Sequence, residues 1–177
     1  MGSEDAGEVA ASEPVVRPAR SADAEALARV WIDAARYYAK LDPARFQVPE
    51  MTPAVSAFRE SINAPPTAHK VLLVAEVRGR VPGLVSAHVE HPVTNARVQL
   101  LRDLSTTRLF IDAVAVAEVD RRSGIGTRLI HAAEEWGRGQ GASLVLLDTY
   151  VESPISLPFF EQRLGYRRRS IKFLKPL

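Results

Sequence analysis

The residues best equipped for chemistry crowd into one run, Phe110 to Thr127. An apolar stretch from Leu109 to Ala117 feeds a short polar loop, and Gly124 and Gly126 stand where a helix begins. Glycine at such a place permits unusual backbone angles and close approach by a bulky ligand. The free N–H groups of a first helical turn, aided by the helix dipole, form an anion site. Arg121 and Arg122 would add charge-assisted contacts, and Ser123, Ile125 and Thr127 would lend loop amides. Two readings fit this spacing: a pyrophosphate cradle, or a glycine-relieved turn with arginines on the surface. A Walker A loop is excluded, because no Gly-Lys-Ser/Thr follows. The dinucleotide fingerprint G-x-G-x-x-G fails as well, since position 129 is Leu.

The surrounding elements must hold that loop. Val15 to Ala19 reads as a first strand, and Ser21 as an N-cap with Asp23 and Glu25 in the first turn. Leu27, Val30, Trp31, Ala34 and Tyr38 then recur at helical spacing to about residue 40. Adjacent Tyr37 and Tyr38 are expected to point apart. Prolines punctuate the next stretch around a short helix, Ala54 to Ile62. Val71 to Val77 and Leu84 to His91 read as two strands joined at Arg78-Gly79-Arg80, with Ser86, His88 and Glu90 on one face of the second. A loop to about Thr107 precedes the strand Leu109 to Ala117, and the helix Gly124 to Arg138 follows the glycines. Ser143 to Asp148 is a buried strand, Pro154 to Leu164 a short helix, and Tyr166 to Leu174 a closing strand. The order β-α-α-β-β-β-α-β-α-β is an α/β fold with a mixed sheet.

The bulk composition narrows the class. A chain of 177 residues suits one domain, here residues 14–177 behind an acidic tail, residues 1–13, expected to be disordered. Cysteine is absent, which excludes disulfides, thiolate catalysis and Cys-based metal sites. The first residues carry Glu4, Asp5, Glu8 and Glu13 and no apolar core of a signal peptide, and no apolar run is long enough to span a membrane. A cytoplasmic enzyme is expected. Net charge is +2, with arginines gathered late at Arg121, Arg122, Arg128, Arg138, Arg163 and Arg167 to Arg169. Those arginines suit a polyphosphate ligand or a solvated surface, and no nucleic-acid motif accompanies them.

Arg121-x-x-Gly124-x-Gly126 resembles the R/Q-x-x-G-x-G/A signature of the GNAT acetyltransferase superfamily. The ending Phe159-Phe160-Glu161-Gln162-Arg163-Leu164-Gly165-Tyr166 is similar to that family's F-Y-E-x-x-G-F close. The resemblance spans about residues 14–177, with its specific motifs in the later half. It implies the GNAT fold, a mixed central β-sheet flanked by helices, and acetyl-CoA as cosubstrate, with no metal. By that resemblance, main-chain groups of Val114 and Val116, where the family's strand bulges and splays, pair with the pantetheine arm. The amides of Arg121 to Thr127 hold the pyrophosphate. Ser153 stands where many members place an Asn near the pantetheine, and Phe160 stands where many place the general-acid Tyr. Neither register of this ending supplies that Tyr; Tyr150 and Tyr166 are substitutes to weigh.

The resemblance further implies direct attack by an amine in a ternary complex, with a strand N–H such as that of Val114 facing the acyl oxygen. An alkylamine, with a pKa of about 10.4, is protonated at neutral pH and must lose a proton first. Asp112 is the first candidate for base or amine anchor; Glu90 and His88, on the neighbouring strand, come second. Each has a bland alternative, a backbone partner for Asp112 and plain solvent exposure for Glu90 and His88. The acceptor is a small-molecule or peptide amine, and the family allows a homodimer. A second reading keeps the fold and the acetyl-CoA site without catalysis, as a sensor or partner module.

Overall fold

Largely apolar runs build a five-stranded sheet in the order β1-β2-β3-β4-β5. The structure is a computed structural model and describes residues 13–65, 67 and 69–175. Strands β1 (Val15–Pro18), β2 (Lys70–Val77), β3 (Arg80–Glu90) and β4 (Arg108–Val116) run antiparallel in sequence order. Strand β5 (Leu144–Leu147) joins β4 in parallel. Helices α1 (Ala24–Leu41) and α2 (Met51–Asn63) separate β1 from β2, and α3 (Ile125–Gly139) forms the crossover from β4 to β5. Arg78 and Gly79, both at positive φ, form the two-residue turn of the β2–β3 hairpin.

The sheet is covered on both faces. Leu27 and Val30 of α1 pack on Val74, Leu84 and Ala115. Ile125, Leu129, Ile130 and Ala133 of α3 pack on Leu73, Val85, Ala87, Leu109 and Ile111 from the other side. Leu27, Leu84, Leu109 and Leu129 are all fully buried. Each leucine contributes roughly 1.5–3 kcal/mol, so these two contacts clamp the strands between the helices.

Strand β4 departs from a regular ladder on both of its edges. Ser86 lies opposite Ala113, whereas its neighbour Ala87 lies opposite Ile111, so Asp112 is the extra residue of a β-bulge. The ladder from β4 to β5 runs from Arg108↔Leu144 to Ile111↔Leu147 and stops there. Strand β4 continues to Val116 without a partner on that side.

Three expectations need correction. Ser21 does not cap the first helix: it lies in a 3-10 turn, Ser21–Asp23, and Asp23 instead accepts from the Arg20 N–H at 2.7 Å. The helix after β5 is shorter and looser than the pattern suggests, an α turn at Ser156–Pro158 followed by a π turn at Phe159–Arg163. No closing strand forms at residues 165–175. The Tyr166 N–H bonds to the Phe160 carbonyl at 2.9 Å and its hydroxyl to Glu134 at 2.7 Å, which turns the chain towards α3. Beyond it, Arg168 pairs with Glu161, Arg169 with Asp103 and Lys172 with Asp148, while Phe173 stays exposed. The acidic-tail expectation for residues 1–13 falls, apart from Glu13, outside the described residues.

Candidate active site

The loop between β4 and α3 is built by backbone conformation. Arg122 (φ 64°) and Gly124 (φ 86°) both adopt the left-handed region. A non-glycine residue there is uncommon and carries strain that clusters at functional sites. Between them, Ser123 Oγ donates to the Asp120 carbonyl at 2.5 Å, and Arg80 on the hairpin holds Asp120 at 3.1 Å. No side chain caps the first turn of α3, and a Cβ built on Gly124 would meet nothing within 4 Å. Open space, uncapped amides and the positive end of a helix dipole meet at one point. Such a point can hold an anion.

Gly126 has a different reason. A Cβ there would sit 3.3 Å from Phe159 and 3.7 Å from Val116, so glycine lets the start of α3 close onto the end of β4. Ile125 points into the core and offers only its backbone. Thr127 Oγ1 accepts from Arg163 Nε at 2.9 Å. That brings a further cation to the loop. The sequence places Arg163 among the late arginines suited to a polyphosphate, but nothing in the spacing of residues 159–166 says that its side chain turns back to Thr127.

Strand β4 supplies the second part of the site. The Ala117 N–H donates to Pro82 on β3 at 2.8 Å, so by strand alternation Val114 and Val116 direct their backbone groups the other way. That is the side on which the β5 ladder has ended. Arg121 Nε reaches back to the Val116 carbonyl at 3.2 Å, and its guanidinium lies over the Tyr37 ring, 5.4 Å from the centroid. Arg121 therefore braces the strand instead of extending into the loop.

Ser153 and Phe160 occupy interior positions. Ser153 is 1% exposed, and its hydroxyl is engaged by Tyr37 at 3.1 Å and by Ser156 at 2.9 Å. Phe160 is buried against Tyr166 in the α3-side core, and the aromatic that reaches Gly126 is Phe159. Tyr37 and Tyr38 do not point apart: both are partly buried, and both reach the segment after β5, Tyr38 through Ser156 at 2.9 Å. Trp31, the more obvious core candidate, is 37% exposed.

On the α1 face of the sheet the titratable residues form a ledge. His88 Nδ1 lies 2.8 Å from Asp112 Oδ1, and Ser86 Oγ donates to Asp112 Oδ2 at 3.3 Å. Asp112 stands at the bulge, between Phe110 opposite His88 and Ala113 opposite Ser86, and its carboxylate reaches both His88 and Ser86. Glu90 accepts from Arg108 at 2.9 Å and lies 3.8 Å from His88 Nε2. Arg108 is only 5% exposed, and its Nε has no partner. Beyond the ledge, Tyr150 lies 3.1 Å from both Asp42 and Glu152. Desolvation and those two carboxylates push its phenol up to about 12. Tyr166 lies instead on α3, where burial and Glu134 hold its phenol far above its ordinary range.

The model of the acetyltransferase (GNAT) family matches residues 31–166. No curated protein sequence matches the chain. Among solved structures, a mutant of the BH1408 protein of Bacillus halodurans is similar at 21% identity, covering 92% of this chain and 99% of that one, with a TM-score of 0.78. The aminoglycoside N-acetyltransferase AAC(6')-Iy in complex with CoA is similar at 21% identity, over 94% and 97% of the two chains, with a TM-score of 0.62. The aminoglycoside acetyltransferase meta-AAC0020 of an uncultured soil metagenomic sample, in complex with sisomicin, reaches 16% identity over 93% and 96%, with a TM-score of 0.63. These likenesses show a shared fold. Among the described residues, no helix is long and apolar enough to cross a membrane.

Proposed function

The chain belongs to the GNAT acetyltransferase family, and from that membership we propose that it transfers the acetyl group of acetyl-CoA to a primary amine held in the same complex. The observation that carries this reading is the unpaired edge of β4. Its backbone groups at Val114 and Val116, which no strand pairs on that side, lead towards the uncapped start of α3. An extended amide-bearing arm can add to such an edge as a strand would, and a diphosphate at its end would reach the amides of Arg121 to Thr127.

Acetyl-CoA supplies an activated acyl carbon on a thioester. The residues of the chain do the rest. Val114 N–H is offered to the acyl oxygen, where a preformed donor stabilises growing negative charge. Arg121 keeps Val116 in register, and a carbonyl with two lone pairs can accept from both Arg121 and a ligand. Arg122 and Arg163 supply positive charge beside the loop. Asp112 and Glu90 give the amine side its negative charge and suit an acceptor that arrives as an ammonium ion. Two of the similar structures are aminoglycoside acetyltransferases, which supports a small cationic amine as the acceptor class.

Calorimetry with acetyl-CoA, followed by free-thiol release against a panel of amines, tests the proposal. Wild-type chain is expected to bind acetyl-CoA and to release thiol only when an amine is present, and Gly124→Arg to lose the binding. Binding without release on any amine would mark the chain as a non-catalytic binder. Unchanged affinity in Gly124→Arg would remove the loop from the cofactor site.

A further inference from the structure

We propose that His88 is the proton acceptor for the incoming amine and that Asp112 is its positioning residue; this assignment rests on the transferase reading. The His88 ring is fixed in two ways. It stacks on Phe110 with centroids 5.1 Å apart and planes 10° from parallel, and its Nδ1 lies 2.8 Å from Asp112 Oδ1. A carboxylate only accepts hydrogen bonds, so the shared proton sits on Nδ1 and the lone pair on Nε2. The nearest acidic oxygen to Nε2 is Glu90 Oε1 at 3.8 Å, too far for a hydrogen bond. Nε2 is thus left open on a side chain that is 28% exposed.

Asp112 is placed differently. Both of its oxygens already accept, one from His88 and the other from Ser86. The charged groups facing His88 come from three strands. Asp112 and Arg108 lie on β4, Glu90 on β3, and Lys70, the cross-strand neighbour of His88, on β2. Arg108 is tied to Glu90, which leaves Asp112 and Glu90 flanking the two ring nitrogens. Asp112 is also the first residue of β4 past the end of the β5 ladder, so the dyad opens beside the edge proposed for the acetyl arm.

The step balances. An acceptor ammonium gives one proton to His88 Nε2. The freed nitrogen lone pair forms the N–C bond to the acetyl carbon, and the C–S bond breaks with its electron pair on sulfur. The second N–H proton ends on sulfur, giving amide, thiol and a protonated His88 that returns its proton to solvent.

The test uses the full chain and two readouts. Long-range imidazole 1H–15N spectra, with the His88 signals assigned through His88→Gln, are expected to show the Nδ1–H tautomer. Asp112→Asn should switch it to Nε2–H, because an amide can donate to Nδ1. An Nε2–H ring in the wild-type chain would overturn the proposal even in an active transferase. In turnover with a cationic amine, His88→Gln is expected to lower kcat/KM by about 100- to 10,000-fold, with acetyl-CoA affinity unchanged. A loss within about threefold, or a deeper loss in Asp112→Ala than in His88→Gln, would return the role to Asp112. Wild-type chain that binds acetyl-CoA but acts on no amine would overturn the transferase reading and this base with it, while the spectra still report whether the dyad exists.

Discussion

Arg121 Nε donates to the carbonyl oxygen of Val116 at 3.2 Å, tying the first residue of the loop signature to the last residue of β4. The same guanidinium covers the Tyr37 ring, so one side chain joins strand, loop and α1. Arg121→Ala is expected to weaken acetyl-CoA binding about tenfold, or ~1.4 kcal/mol. Arg121→Lys should recover little of it, because an ammonium lacks the planar fork that bonds the carbonyl while lying on the ring. Calorimetry on the two variants checks this; equal affinity in all three chains would reduce Arg121 to a surface residue.

Gly124 is required for its angle. The space around it is open, so the whole penalty of a side chain is conformational. Gly124→Ala is expected to destabilise the chain by about 1–2 kcal/mol, seen as a lower urea midpoint at constant slope. Gly124→Asn should cost less, since Asn tolerates the left-handed region better.

Asp23 ties β1 to the start of α1. It is 7% exposed and receives two bonds from Arg17, at 2.7 and 3.0 Å, besides the Arg20 N–H. Asp23→Ala removes these charge-assisted bonds but leaves Arg17 its second partner, Glu76, so a loss of about 1.5–3 kcal/mol is expected in urea unfolding. The Arg17 hydrogen bonds hold the Asp23 carboxyl below its ordinary value of 3.8. A depressed carboxyl stabilises fully above the unfolded value and loses that contribution as pH falls through the folded one. The wild-type chain should therefore lose stability below about pH 4 more steeply than Asp23→Ala does.

Tyr166 gives the opposite limb. Its phenol is raised by burial and by Glu134, so the folded chain holds that proton above the ordinary value of 10.0. The resulting stability is complete below that pH and declines as pH climbs beyond it towards the folded value. In Tyr166→Phe the decline above about pH 10 should be shallower. Urea midpoints between neutral pH and the alkaline range measure it.

The sheet and α3 are legible in the sequence because short apolar runs and the 125–133 stripe mark the segments that become buried. The loop signature is legible because Gly124 answers to a left-handed backbone angle that glycine adopts at least cost. What stays hidden depends on partners distant in sequence. The alternation through Phe110 to Val116 gives no hint that Asp112 is an inserted residue; the bulge is visible only in its pairing with β3. Residues 166–174 read as a closing strand, yet a strand needs an edge, and Tyr166 is held by Phe160 and Glu134 instead. A helical wheel sets Tyr37 and Tyr38 apart. The helix ends beside the post-β5 segment, where Ser153 and Ser156 can engage both hydroxyls.

The early end of the β4–β5 ladder also shapes how this chain breathes. A central strand flanked on both sides is usually the most slowly exchanging part of a sheet. Here the amides of Val114 and Val116 lie next to tightly packed core yet have no β5 partner to protect them. They should take up deuterium at rates typical of a surface loop, while Ala115, facing β3, lags far behind. Filling the gap would close that contrast, so the isotope clock of two valines reads out whether the cleft is occupied.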